Sequence, residues 1–213
     1  MTRVIADGRA VRVLDRARIA ALGSIEAVVI VGPTCVGKTT LVDAVRDSEL
    51  HAAGVVNVPT RFITRMPRGG DNLVENVHVT AEDFASRVRA GEVELHWIRR
   101  MEGGRTIRYG FAPPRAGALA VYSANNAILA TDAELSPTGA LDHALVVGVH
   151  APPEVRALRL QQRSPDLSAH PEEVAHRLEE GERSDAHVVI DNFGELESVA
   201  RVEIVMMLRS LVH

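Results

Sequence analysis

The chain has 213 residues, 46% of them hydrophobic and 24% charged, which suits one domain with a full core. A net charge of −4 leaves no basic surplus for a phosphate backbone, and 3% aromatics give little to stack on bases, so no nucleic-acid partner is expected. The single cysteine, Cys35, excludes an internal disulfide and fits a reducing cytosol. No apolar run reaches membrane-spanning length and the N-terminus lacks a signal-peptide core, so the reading is cytoplasmic with no membrane contact.

Residues 1–24 read as an N-terminal extension. Val4-Ile5, an Asp7-Gly8 turn and Ala10–Val13 suggest a short hairpin, and Asp15 is placed to cap a helix over Ala17–Leu22. The stretch that follows carries the chemistry. Ala27-Val-Val-Ile-Val31 is a buried-type strand, and Gly32-Pro33-Thr34-Cys35-Val36-Gly37-Lys38-Thr39-Thr40 then opens a helix with apolar spacing over Leu41–Val45. Strand, Gly-x-x-x-x-Gly-Lys-Thr and helix in register make a phosphate loop. The glycines let successive N–H groups turn inward at a positive helix end. Lys38 reaches the β/γ-phosphates, and the Thr39 hydroxyl is placed to ligate Mg²⁺. A nucleoside-triphosphate site is expected.

Further along, Val55–Val58 reads as a short strand and Thr60–Gly70 as a polar, basic, Gly-rich connection. Glu82–Val88 reads as a helix capped by Thr80, and 92–99 and 105–111 as two strands joined by a turn. Leu119–Tyr122, Leu145–Val149 and His187–Ile190 are strands; helices are expected from Pro153, over 171–183 and over 195–212. This alternation predicts a parallel α/β sheet with helices on both faces. The core spans 25–58 and 112–213, and 60–111 reads as an inserted acceptor-binding subdomain within one 213-residue domain.

Thr64-Arg65-Met66-Pro67-Arg68 sets two guanidinium groups three residues apart on an extended stretch. Their forked donors match phosphate oxygens bidentately, so Arg65 and Arg68 read as an acceptor-phosphate clamp. The nine histidines show no ligand spacing, and a dedicated metal cage is not expected.

The phosphate loop, Thr64-Arg-x-Pro-Arg68, Asp83-Phe84, Trp97 and Tyr109-Gly110 occur in an order that resembles guanylate kinases. Pro152-Pro-Glu-Val155 through Arg163 and Arg177-Leu178 is similar to that family's lid, about 163–177. The resemblance runs from about Ala27 to Asn192 and implies a P-loop NTPase three-layer core with an acceptor subdomain and a lid. It implies Tyr109 on the acceptor phosphate, Arg163 and Arg177 on the transferring group, and Asn192 at the adenine.

The base-reading positions depart from that pattern. His96 stands where guanylate kinases carry a Glu, Arg61 replaces a Ser, Phe111 a small hydroxyl residue and Asn125 an Asp. Guanine presents N1–H and N2–H donors that call for carboxylates. Arg61-Phe-Ile-Thr-Arg65 and Glu75-Asn76 are instead similar to ribose 1,5-bisphosphate phosphokinases, which use ATP to make phosphoribosyl diphosphate. That resemblance implies a phosphorylated small-molecule acceptor held by Arg61, Arg65, Arg68, His96, Tyr109 and Asn125, with ATP as co-substrate and Mg²⁺ arriving with it. Open alternatives are a nucleoside-monophosphate kinase of altered base preference, a kinase for a specialised sugar or nucleotide phosphate, and a non-catalytic binding module. The module is disfavoured because Gly37-Lys38-Thr39 is intact. The apolar Met206-Met-Leu208 end leaves room for a homodimer contact.

Overall fold

The apolar runs of the sequence become two sheets in the computed structural model, which describes residues 7–67, 75–100, 104, 106–129, 141–163, 178 and 185–212. The elements in chain order are β1 (Val11–Val13), α1 (Arg16–Ala21), β2 (Ala27–Val31), α2 (Lys38–Arg46), α3 (Glu49–Ala52), β3 (Val56–Asn57), β4 (Arg61–Ile63) and β5 (Asn76–His78). There follow α4 (Ala81–Arg89), β6 (Leu95–Arg100), β7 (Thr106–Phe111), β8 (Leu119–Ser123), β9 (Ala144–His150), α5 (Pro153–Arg163), β10 (Val188–Asp191) and α6 (Leu196–Val212).

The first sheet has the order β1-β10-β9-β2-β8-β3 and is parallel except where β1 meets β10. Its inner strands are near-continuous apolar runs because both of their faces are covered. Along β2 the side chains alternate. Val28 and Ile30 enter a core built from Ile19 of α1, Leu41 and Val45 of α2, Leu50 of α3, and Ile204 and Leu208 of α6. Ala27, Val29 and Val31 meet Leu95, Trp97 and Phe111 from the second sheet, together with Tyr122 and Ile128.

Helices were expected on both faces. Among the described residues α1, α2, α3 and α6 pack on the first, and the second is closed by aromatic side chains of the smaller sheet together with the 3₁₀ turn Asn126–Leu129. Small residues such as Ala27, Ala120 and Ala144 on that face leave room for the large rings. The expected helix over 171–183 falls, but for Leu178, outside the described residues.

The N-terminal extension forms a rim of the core. Val11–Val13 pairs antiparallel with β10, and Asp15 caps α1 by accepting the Arg18 N–H at 2.8 Å. The Glu203 carboxylate on α6 accepts the N–H groups of Arg9, Ala10 and Val11 at 2.6, 2.7 and 2.9 Å. The Val4-Ile5 half of the expected hairpin lies outside the described residues.

The second sheet, β5-β4-β7-β6, is made entirely by residues between Arg61 and Phe111. Its β4 corrects the expectation of a connection after Thr60. The Arg-Phe-Ile run is only three residues between polar neighbours, yet Phe62 and Ile63 are buried. The helix α4 covers one face of this sheet, packing Phe84 on Phe62 and Val93. Thr80 caps it, accepting the Asp83 N–H at 3.0 Å, as the spacing predicts.

Candidate active site

The phosphate loop leaves β2 and turns into α2 at the carboxyl edge of the parallel strands, where α/β sheets open their clefts. Gly32, Cys35 and Gly37 hold positive φ angles of 152°, 64° and 91°. A side chain at Gly37 would strike the Asn192 amide, and one at Gly32 would sit 2.8 Å from the Val149 carbonyl. Lys38 Nζ donates to the Gly32 and Pro33 carbonyls at 2.6 and 2.8 Å, bracing the arch from within the motif. Thr39 and Thr40 stand half-buried in the first turn of α2.

Three residues that the motif does not contain hold the rest of the loop. Arg156 Nε on α5 donates to the Thr34 carbonyl at 3.1 Å, and Arg159 Nη1 donates to Cys35 at 3.2 Å. Arg159 also donates to the Asn192 carbonyl at 2.7 Å and pairs with Glu197 of α6. Asn192, expected at the adenine, is 1% exposed, and its amide donates to the Val36 carbonyl at 2.8 Å. The structure therefore places Asn192 against the loop backbone instead. Arg156 and Arg159 were missed, although with Arg163 they recur at helical spacing along α5.

In the smaller sheet, paired residues of adjacent strands share a face. Trp97 opposes Tyr109, and Arg61 opposes both Phe111 and Asn76, so these side chains face the core sheet together. Trp97 stacks on Tyr109 with ring centroids 5.2 Å apart, and Phe111 lies against both Trp97 and Tyr122. Asn125, just beyond β8, accepts the Trp97 Nε1–H at 3.0 Å.

Arg61 is committed to protein partners. Its Nε donates to Asn76 Oδ1 at 2.8 Å, its Nη1 to the Ser123 carbonyl at 2.7 Å, and its Nη2 lies 3.3 Å from the buried Glu75 carboxylate. Ser123 opposes Ile30, so this guanidinium ties the smaller sheet to the core two residues before the phosphate loop. The expected direct hold on an acceptor phosphate gives way to an ion pair, because the Glu75 carboxylate just before the flanking strand already neutralises the charge.

His96 is the clearest correction. It opposes Gly110 on the other face of the sheet and meets Phe84 of α4 edge-on at 6.2 Å, away from Tyr109 and Arg61. Burial, and then the charge of Arg108, lower its pKa. Arg65 lies just past β4, with its Nη1 on the Met66 carbonyl and its own carbonyl bonded to His78 Nδ1 at 2.7 Å. Arg163 is the exposed last residue of α5. Arg68 and Arg177 lie outside the described residues.

Among the described residues no cluster of His, Cys, Asp and Glu could cage a metal, and no helix is long and apolar enough to cross a membrane. The hydroxyl of Thr39 at the mouth of the loop suits Mg²⁺ brought in on phosphate oxygens, a hard cation with few protein ligands.

No family model matches the chain. It is 25% identical over 197 residues to ribose 1,5-bisphosphate phosphokinase PhnN of Bradyrhizobium diazoefficiens, covering 89% of this chain and 91% of that protein. The PhnN of Rhodopseudomonas palustris is 28% identical over 180 residues, 84% of this chain and 87% of the other. A bifunctional ribose 1,5-bisphosphokinase-thymidine phosphorylase of Roseobacter denitrificans is 29% identical over 153 residues, 70% of this chain and 20% of the larger protein. Among solved structures, guanylate kinase from Anaplasma phagocytophilum covers 87% of this chain and 86% of its own at 16% identity and a TM-score of 0.49. A gluconokinase from Sinorhizobium meliloti covers 89% of this chain and 95% of its own at 17% identity and a TM-score of 0.39. Neither superposition is close enough to bear on function. With its phosphate loop and parallel core, the chain is similar over most of its length to curated ribose 1,5-bisphosphate phosphokinases, a likeness that supports an ATP-dependent kinase.

Proposed function

We propose that the chain transfers the γ-phosphoryl group of ATP to a phosphate of a base-free sugar phosphate, with ribose 1,5-bisphosphate, giving phosphoribosyl diphosphate, as the leading acceptor. The observation that carries this reading is the filling of the base-reading positions. Phe111 is 1% exposed under the aromatic cluster, His96 faces α4, and the Asn125 oxygen is taken by Trp97. None of the three offers the carboxylate that a guanine edge requires. The names of the curated relatives support the same acceptor.

In this reading an oxygen of the acceptor phosphate attacks the γ-phosphorus in line while its bond to the β-phosphate oxygen breaks and ADP leaves. The loop amides and Lys38 hold and neutralise the departing phosphates. Arg65, Arg68 and Tyr109 orient the acceptor, and Arg163 and Arg177 close on the charge of the transferring group. Thr39 would carry Mg²⁺, which when bound neutralises β- and γ-phosphate charge. Arg61 serves by holding the acceptor sheet to Ser123 rather than by touching the second phosphate.

The test is ADP release, coupled to a spectrophotometric readout, with ATP and Mg²⁺ against ribose 1,5-bisphosphate and a panel of nucleoside monophosphates. Turnover confined to the bisphosphate is expected. Turnover with GMP would overturn the base-free reading, and turnover with another sugar phosphate alone would keep the class while replacing the acceptor.

A further inference from the structure

Six consecutive carbonyls of the phosphate loop each accept a hydrogen bond from a side chain. Lys38 takes Gly32 and Pro33, Arg156 takes Thr34, Arg159 takes Cys35, and the Asn192 amide takes Val36 at 2.8 Å and Gly37 at 3.5 Å. A peptide carbonyl held on one side fixes its N–H on the other, so bracing the carbonyls aims the amides that form the anion nest. The motif supplies only Lys38. Arg156, Arg159 and Asn192 reach the loop from 122, 124 and 156 residues away. Two of these three are guanidinium groups, and Arg156 is 4% exposed, where a positive charge is poorly screened and acts strongly on a nearby phosphate.

We propose that Arg156 and Arg159 are positioning residues of the nucleotide site, setting the direction of the loop amides and adding positive potential behind the bound phosphates. Arg159 extends this brace to the end of β10 and the start of α6 through the Asn192 carbonyl and Glu197, so nucleotide grip and the seating of α5 are one assembly. The inference rests on the ATP-site reading and is independent of the acceptor.

Calorimetric titration of the full chain with Mg²⁺-ADP tests it, alongside thermal melts. Arg156→Gln is expected to weaken binding about tenfold, the scale of a lost hydrogen bond to a charged group, and Arg156→Lys to recover most of that loss. Arg159→Gln, at a side chain 21% exposed, is expected to fold and to weaken binding several-fold. If Arg156→Gln does not fold, Arg159→Gln decides by the same criterion. Variants that fold and bind Mg²⁺-ADP as tightly as the wild type overturn the inference, as does a loss at position 156 that lysine fails to rescue. A wild-type chain that does not bind Mg²⁺-ADP overturns the nucleotide site itself and this inference with it.

Discussion

Around the phosphate loop the polar work is done by backbone, and side chains such as Asn192 and Arg156 act on that backbone from behind. In the smaller sheet the reverse holds: the face turned to the core is Trp97, Tyr109 and Phe111, and the polar groups Asn125 and Arg61 are bonded to their own neighbours. A site made of amides needs glycines and a fixed spacing, whatever the rest of the molecule does. A site made of side chains can be rewritten one residue at a time on an unchanged sheet. The difference teaches how one scaffold can keep ATP as donor while its acceptor changes.

The comparison breaks most sharply at Lys38. Lys38→Ala is expected to lower kcat by about a hundred- to a thousandfold, read by coupled ADP release, with the fold intact by circular dichroism. A variant that keeps turnover would mean the backbone alone carries the donor half. In the smaller sheet, Glu75→Leu strands the Arg61 charge, whose side chain is 16% exposed, and is expected to cost about 3 kcal/mol by urea denaturation. Adding Arg61→Met should restore most of it, since an apolar pair is tolerated where a lone charge is not.

Acid sharpens the same contrast more gently. His187 in the core accepts the Val146 N–H on Nδ1 at 2.9 Å, which requires a neutral ring, and burial followed by the Arg18 charge lowers its pKa from 6.5. His96 in the smaller sheet is lowered too, by burial and then Arg108. Both rings hold a proton less tightly folded than unfolded, so the unfolded chain takes up more protons once the pH falls below about 6.5. Stability is therefore expected to be full above that pH, to decline through it, and to level off below the folded pKa values. Urea midpoints measured from pH 8 to pH 5 check the slope, and His187→Asn and His96→Leu apportion it between the two halves.

The smallest effect is expected at Cys35, the one described non-glycine residue with a positive φ. Cys35→Gly should raise stability by about 0.5–1 kcal/mol, since glycine adopts that region without a clash and gives back part of the gain in chain entropy. An unchanged urea midpoint would show that the loop bears no strain there.

The donor half was legible because local physics writes it in order: an apolar run, turn glycines and a helix all lie within Ala27–Arg46. Thr80 and Asp15 were legible as caps for the same reason. The smaller sheet was less so because parity decides it. Whether His96 or Trp97 faces the core sheet depends on how β6 registers on β7, and a slip of one residue reverses every side chain. Arg156 and Arg159 escaped because their partners are backbone carbonyls of the loop, which leave no mark in residue type. Arg61 and Glu75-Asn76 showed only as separate stretches of a resemblance, and nothing in the sequence says that the pairing of β4 with β5 brings their side chains together.

The core sheet ends in β1 on one side and β3 on the other, three and two residues long, and the first is fastened by the Glu203 carboxylate. A long bare rim is where a neighbouring polypeptide can dock strand to strand and begin a fibre. Among the described residues the rungs at both rims of this sheet run out almost at once, so its strongly apolar parallel strands present little ladder for another copy to climb.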